Sequence, residues 1–172
     1  MESDSMLLTL YIVRHAKAED RATFMSDHDR ELISEGIMDA ARIGRFLREK
    51  TVQPDQIISS TAPRARDTAK VVAEQIGFDR EQIQLDETLF EGGPKAYLAA
   101  VNRLPDSAQS AMVVGHNPDV SYFTEFLTHQ SVGSMSKGAV VAIQFEGLTW
   151  AEISGRTGSI LFTIAPKELR HN

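Results

Sequence analysis

The sequence predicts a layered α/β protein with a mostly parallel central sheet. Two observations carry this. Short apolar runs alternate with segments at helical spacing along most of the chain, and the last part turns to strands. No repeat, low-complexity stretch or Gly/Ser-rich linker interrupts the alternation, so one domain over 1–172 is expected, with loose ends at 1–6 and 166–172.

The elements follow in order. "LLTLYIV" (7–13) reads as a buried strand. "SEGIMDAARIGRFLREK" (34–50) reads as a helix with Ile37, Ala41, Gly44 and Leu47 on one face and Ser34 as N-cap. "QIIS" (56–59) is a short strand. "PRARDTAKVVAEQIG" (63–77) is a helix ended by Gly77, with Ala65, Ala69, Val72 and Ile76 on its apolar face. "PKAYLAAVNRL" (94–104) is a helix stopped by Pro105, and "SAMVVG" (110–115) is a strand. "NPDVSYFTEFLTH" (117–129) has an asparagine cap and proline at the first helical position. "GAVVAIQF" (138–145), "WAEIS" (150–154) and "SILFTI" (159–164) read as strands, two of them a hairpin.

Composition narrows the function. The chain has 172 residues, 42% hydrophobic and 24% charged, as in ordinary globular proteins. Absence of cysteine excludes disulfides, thiolate metal sites and a cysteine nucleophile. A net charge of −6 argues against nucleic acid and anionic membranes as partners. The first residues carry acids where a secretory leader carries positive charge, and no run reaches transmembrane length, so a cytoplasmic protein is expected.

The strongest functional signal is two strands that end in histidine. The first closes on "IVRH", giving Arg14 and His15; a later one closes on "MVVGH", giving His116. In α/β sheets ligands bind at the carboxyl ends of strands, which makes two loop histidines without a role the weaker reading. Arg64 then falls in the first turn of the helix after "SSTAP". A cation there opposes the helix dipole, a poor structural choice unless an anion binds at that helix start. Arg14 and Arg64 supply forked guanidinium groups suited to phosphate, and a neutral imidazole is a competent nucleophile at phosphorus. In-line attack by His15, with the arginines and His116 neutralising the equatorial oxygens, is the chemistry this set favours.

These stretches carry a resemblance. "RHA" after the first strand, the run from Ser60 to Ala69 with Arg64 inside it, and "VGH" after a later strand resemble the histidine phosphatase superfamily, which includes the cofactor-dependent phosphoglycerate mutases. "RHAKAE" followed by "DRELISEG" (29–36) resembles its short SixA-type phosphohistidine phosphatases. The resemblance implies a three-layer α/β/α sandwich of the phosphoglycerate mutase type. It implies a phosphohistidine intermediate on His15, a phosphate pocket of Arg14, Arg64 and His116, and no metal or other cofactor. The implied substrate is a phosphorylated protein or a small phosphate ester.

Departures from the mutase pattern matter. Ala16 replaces a glycine common after the histidine, and Arg21 stands where an asparagine often holds phosphate. The segment from Glu91 to His116 is short, so an open site is expected. Lys17 and Arg21 are candidate substrate contacts at the pocket mouth. Glu91, in "TLFEGG", is the candidate general acid; the competing reading is a solvated loop carboxylate. Asp119 reads as helix capping, Arg66 as solvated surface, and His129 and His171 as surface residues. Asp27, His28 and Asp29 read as a polar loop, since adjacent residues converge poorly on one metal ion. The readings carried forward are a phosphohistidine phosphatase, a small-molecule phosphomonoesterase or mutase of the same chemistry, and a non-catalytic phosphate-binding module.

Overall fold

A computed structural model describes residues 6–20 and 25–170. Six strands form one sheet: β1 (Leu7–Arg14), β2 (Gln56–Ser59), β3 (Gln84–Leu85), β4 (Ser110–Gly115), β5 (Val140–Glu146) and β6 (Gly158–Ile164). Their spatial order is β3-β2-β4-β1-β5-β6. The β3-β2-β4-β1 part is parallel; β5 and β6 pair antiparallel on one flank. Four longer helices complete the fold: α1 (Ser34–Glu49), α2 (Pro63–Ile76), α3 (Pro94–Asn102) and α4 (Asp119–Thr128).

Alternation along the central strands builds the three layers. Leu8, Leu10 and Ile12 of β1 and Ala111 and Val113 of β4 face one side, where Tyr97, Ala100 and Val101 of α3 and Val120, Phe123 and Leu127 of α4 cover them. Val13, Met112 and Val114 face the other side, against Ala40, Ile43 and Leu47 of α1 and Ala65, Ala69 and Val72 of α2. Helices therefore sandwich the sheet, as the resemblance implies. α1 and α2 approach closely because Gly44 has no side chain; a Cβ there would sit 2.6 Å from Gln75 Cβ.

Several local expectations differ. Gly44 and Leu47 lie on the buried face of α1 as expected, but Ile37 is exposed and Ala41 only half-buried, and Gly36, Asp39, Ala40 and Ile43 complete that face. Ser34 is the first helical residue, and Ile33 holds the cap position. "WAEIS" is not a strand. Trp150–Glu152 is a 3-10 turn closed by a Thr149–Glu152 capping box, and Trp150 Nε1 donates to Ala108 O at 2.8 Å. α4 starts at Asp119, one residue later than expected, with Pro118 instead of Asn117 at the cap position, after a cis Asn117–Pro118 bond. The expected loose end from 166 is anchored through Arg170: Pro166 is buried, and Arg170 grips the buried Asp39 carboxylate through Nε (3.1 Å) and Nη2 (2.6 Å).

Candidate active site

β1 and β4 are adjacent and parallel, in register from Thr9 opposite Ser110 to Arg14 opposite Gly115. The next residue on each strand is a histidine. His15 N donates to Gly115 O at 3.0 Å, and the His15 and His116 ring centroids stand 5.2 Å apart, tilted by 56°. Register alone thus brings together two side chains 101 positions apart in sequence. Gly115 cannot be larger: a Cβ there would collide with the Tyr97 ring. Tyr97 uses that space to accept from His116 N at 3.0 Å and donate to Leu89 O at 2.8 Å. Without those partners its buried hydroxyl would cost about 1–3 kcal/mol.

Hydrogen bonds fix both rings. His15 Nδ1 lies 2.7 Å from Ala16 O, a carbonyl that only accepts. The proton is therefore on Nδ1, and Nε2 keeps its lone pair. His116 Nε2 lies 2.8 Å from Ser60 Oγ, which already accepts from Ala62 N at 3.2 Å. Ser60 has both a hydroxyl hydrogen to give and a second lone pair to accept with, so the contact orients the ring in either tautomer and leaves Nδ1 as the other ring nitrogen. That nitrogen is buried and has no partner. Burial lowers the His15 pKa to about 3; its bond to Ala16 O opposes this, while nearby Arg64, Arg14 and Arg30 reinforce it. Burial first, then His15, Arg64, His28 and Arg30, lowers His116 to about 2. Both rings are neutral at pH 7 with the pocket empty of anion.

Three guanidinium groups surround the pair. Arg14 reaches from β1, and its Nη1 donates to Met135 O at 2.7 Å. Arg64, in the first turn of α2 as expected, is buried. Its Nη1 donates to Asp27 O (2.7 Å) and His28 O (3.3 Å), and its Nη2 meets Asp27 Oδ2 at 3.3 Å. Phe90 covers it, with Cζ 5.7 Å from the ring centroid. Arg30 is the third. Nη1 donates to Glu19 O at 2.9 Å, and Nε forms an ion pair with Asp27 Oδ1 at 3.0 Å without hydrogen-bond alignment. Burial lowers the pKa of both Arg14 and Arg64.

Arg14, His15, Arg30, Arg64 and His116 line one open pocket of about 550 Å³. Arg14 Nε, Arg64 Nε and His116 Nδ1 are buried and have no hydrogen-bond partner among the described residues. Unpaired buried polar groups are costly, and three of them belong to residues of this cationic pocket.

The remaining sequence candidates separate. Glu91 lies at the pocket edge, exposed and at φ +65°, with no hydrogen bond holding its side chain among the described residues. Asp119 also lines the pocket. It is not a helix cap: its Oδ2 accepts from Gly93 N at 3.1 Å, and burial raises its pKa against that bond. Lys17 does not reach the main pocket; it is exposed, pairs with Glu35 at 3.3 Å and lines a neighbouring groove. Arg21 lies outside the described residues, as does His171. Arg66 pairs with Asp67 away from the pocket, and His129 is exposed. Asp27, His28 and Asp29 face different partners: Asp27 holds Arg30 and Arg64, while His28 bridges Asp29 and Thr61. Among the described residues no group of three His, Cys, Asp or Glu side chains could hold a metal ion.

Sequence reading missed four contributors. Arg30 sits inside "DRELISEG", and its position in that stretch was the available signal. Ser60 orients His116. Thr68 Oγ1 accepts from Ala16 N (3.0 Å) and donates to Arg64 O (2.7 Å), tying the backbone after His15 to α2. Tyr97 has no local signal, because its role depends on a space opened at Gly115.

Comparison with known proteins agrees with this architecture. Residues 10–95 match the sequence model of the histidine phosphatase superfamily (branch 1), and the chain belongs to that family. An uncharacterised protein of Mycobacterium tuberculosis is 34% identical over 109 residues, 63% of this chain and 65% of that protein's length. The match therefore spans a little under two thirds of that relative. The mitochondrial serine/threonine-protein phosphatase Pgam5 of Drosophila virilis is 28% identical over 171 residues, 91% of this chain and 58% of that one. Among solved structures, a protein assigned as phosphohistidine phosphatase SixA from Nakamurella multipartitia superposes with a TM-score of 0.79 at 25% identity, covering 93% of this chain and 96% of that one. Protein histidine phosphatase SixA complexed with tungstate superposes at 0.81 with 20% identity, covering 95% and 100%, a likeness of fold. Among the described residues no helix is long and apolar enough to cross a membrane.

Proposed function

We propose that this chain is a metal-independent phosphatase in which His15 accepts the phosphoryl group, and that its substrate is phosphohistidine on a protein. The observation that carries the reading is the state of His15: neutral, its Nδ1 proton committed to Ala16 O, among three guanidinium groups and beside His116. In the first step a bond forms from His15 Nε2 to phosphorus while the bond from phosphorus to the substrate's imidazole breaks. The departing imidazole keeps the proton on its other ring nitrogen and leaves neutral. In the second step a water oxygen attacks phosphorus and the bond to Nε2 breaks; the water's protons stay on the inorganic phosphate or pass to solvent, and His15 is again neutral with its proton on Nδ1. The arginines and His116 neutralise charge on the equatorial oxygens through both steps.

Protein phosphohistidine suits the carboxylates that line the pocket. Asp27 is held by two arginines, Asp119 by Gly93 N, and Glu91 is exposed. An imidazole leaves as a weak base with a conjugate acid near pH ~6.5, so it needs little help from an acid. The open pocket admits a residue on a protein surface. Similarity to the Nakamurella protein supports the same substrate class. One observation favours a second reading, hydrolysis of phosphate esters: Asp119 is partly buried beside the pocket with a raised pKa, a state suited to giving a proton to an alkoxide.

The test offers the enzyme a phosphohistidine protein and a panel of phosphate esters, with radiolabelled phosphate and a rapid quench. An acid-labile label on the protein, faster turnover of phosphohistidine and full activity in EDTA are expected. No label under single-turnover conditions overturns the nucleophile. Faster turnover of esters, lost in Asp119→Asn, favours the second reading.

A further inference from the structure

A second groove, of about 420 Å³, adjoins the reaction pocket and shares Arg14 and Lys137 with it. Its other basic residues are Lys17, Lys167 and Arg170. Two of these are neutralised: Lys17 pairs with Glu35, and Arg170 pairs with Asp39 and Glu35. Lys137 and Lys167 have no carboxylate partner among the described residues, and Arg14 has only the Met135 carbonyl. Three uncompensated cations thus line one groove on a chain of net charge −6.

Their placement is built into the fold. Gly138, at φ +82°, donates its N–H to both Arg14 O and His15 O, which fixes Lys137 beside the end of β1. The same glycine leaves room for Pro166: a Cβ on it would sit 2.9 Å from Pro166 Cγ. Lys137 and Lys167, the chain neighbours of these two residues, both line the groove. Arg170 then locks the turn 166–168 onto α1 through the buried Asp39. Uncompensated cations lining one groove repel each other, and an anion among them relieves that repulsion.

We infer that this groove binds an acidic side chain of the substrate protein, flanking the residue whose phosphate enters the reaction pocket. The inference deepens the phosphohistidine reading and rests on it for the reaction. Charge complementarity selects a carboxylate, and the shared Arg14–Lys137 wall puts it next to the phosphoryl group. The chain's overall negative charge disfavours long polyanions such as nucleic acid.

Two measurements test it. In the first, an unphosphorylated glutamate-rich peptide is titrated into the protein and followed by amide NMR shifts, beside its glutamine counterpart and a DNA oligonucleotide. Shifts at 137–138 and 166–170 are expected with the glutamate peptide, weakening at high salt and lost in Lys167→Glu. In the second, phosphohistidine peptides with Glu, Gln or Lys as neighbours are compared. Wild type should favour Glu over Lys by about 5–10-fold in KM, Lys167→Glu should reverse the order, and small phosphoramidate should turn over equally in both. Absent shifts, stronger binding of DNA, or an unchanged preference in Lys167→Glu overturns the groove assignment. Shifts as expected with no phosphohistidine turnover leave the groove standing and overturn the substrate reading instead.

Discussion

The sheet-borne wall of the pocket and its loop-borne rim are built differently. The wall is His15 and His116, set side by side by the register of β1 and β4 and oriented by Ala16 O and Ser60. Sheet hydrogen bonds and apolar residues on both faces of the two strands over-determine that geometry. The rim is the stretch around 27–30, the turn at 90–93 and the turn at 135–138. It is held by a few contacts: Asp27 to Arg30 and Arg64, Asp119 to Gly93, and Met135 to Arg14. The difference teaches a division of labour. In the proposed mechanism, the groups that make and break bonds sit on the rigid sheet, and those that receive the substrate sit on segments that tolerate change.

Substitutions sharpen that comparison. In the wall, His15→Ala should reduce turnover to background and abolish the labelled phosphoenzyme, while circular dichroism and the unfolding midpoint stay near wild type. A variant that keeps substantial activity breaks the histidine mechanism. Arg64 joins wall to rim. Arg64→Ala should lower kcat/KM by about 10²–10³-fold, as for other preorganised charge contacts. It should also loosen residues 27–28, whose carbonyls lose their donor, which hydrogen exchange would report. Arg64→Lys should recover only part of the rate because one ammonium cannot replace the fork; full recovery would make Arg64 a plain charge.

The wall also predicts an acid weakness. Unfolded histidines take a proton near pH 6.5, but burial holds His15 to about 3 and His116 to about 2 in the fold. As pH falls below 6.5, the unfolded chain binds protons that the folded chain refuses, so stability falls. The loss between pH 6.5 and 4 should be on the order of a few kcal/mol for the pair, and vanadate, whose charge favours protonated histidine, should reduce it. His15→Ala and His116→Ala should each flatten the slope in denaturant titrations at pH 7.5 and 5. An unchanged slope in both variants means these rings titrate normally.

Legibility in the sequence divides the same way. Strand ends, apolar runs and "VRH" or "VGH" at their carboxyl edges are local signals, so the layers, the sheet and the two histidines could be read directly. Arg64 was legible because a cation in the first turn of a helix conflicts with the dipole and calls for an anion. What failed depended on distant partners. Trp150–Glu152 looks like a strand by composition, yet a four-residue capping box holds it as a turn. Ile37 fits a helical stripe, but α1 meets α2 along Gly44, and that contact line turns Ile37 outward. Lys17 follows the motif closely but is drawn to Glu35. Tyr97, Ser60 and Thr68 are ordinary residues in sequence whose roles exist only where elements meet.

Glu91 gives the smallest expected effect and the sharpest test of the rim. The resemblance made it the candidate acid, but it is exposed, at a positive φ and, among the described residues, without a hydrogen bond that would aim it. A positioned general acid contributes about 10²–10⁴-fold, whereas a solvated carboxylate at a pocket edge contributes little. Glu91→Gln should therefore change phosphohistidine turnover by less than about threefold and leave the pH profile without a new limb, since the leaving imidazole needs no acid. Ester hydrolysis is the more sensitive probe. A loss of two orders of magnitude on esters alone, with an alkaline limb that disappears in the glutamine variant, would show that the 90–93 turn closes over substrate and swings Glu91 inward. Equal modest losses on both substrates would mean that its charge only tunes the field of the arginines. No loss on either, with a clear loss in Asp119→Asn, would move the acid to the first turn of α4, beside His116. The rim would then owe its chemistry to a residue anchored next to the sheet, and the division between wall and rim would hold even for proton transfer.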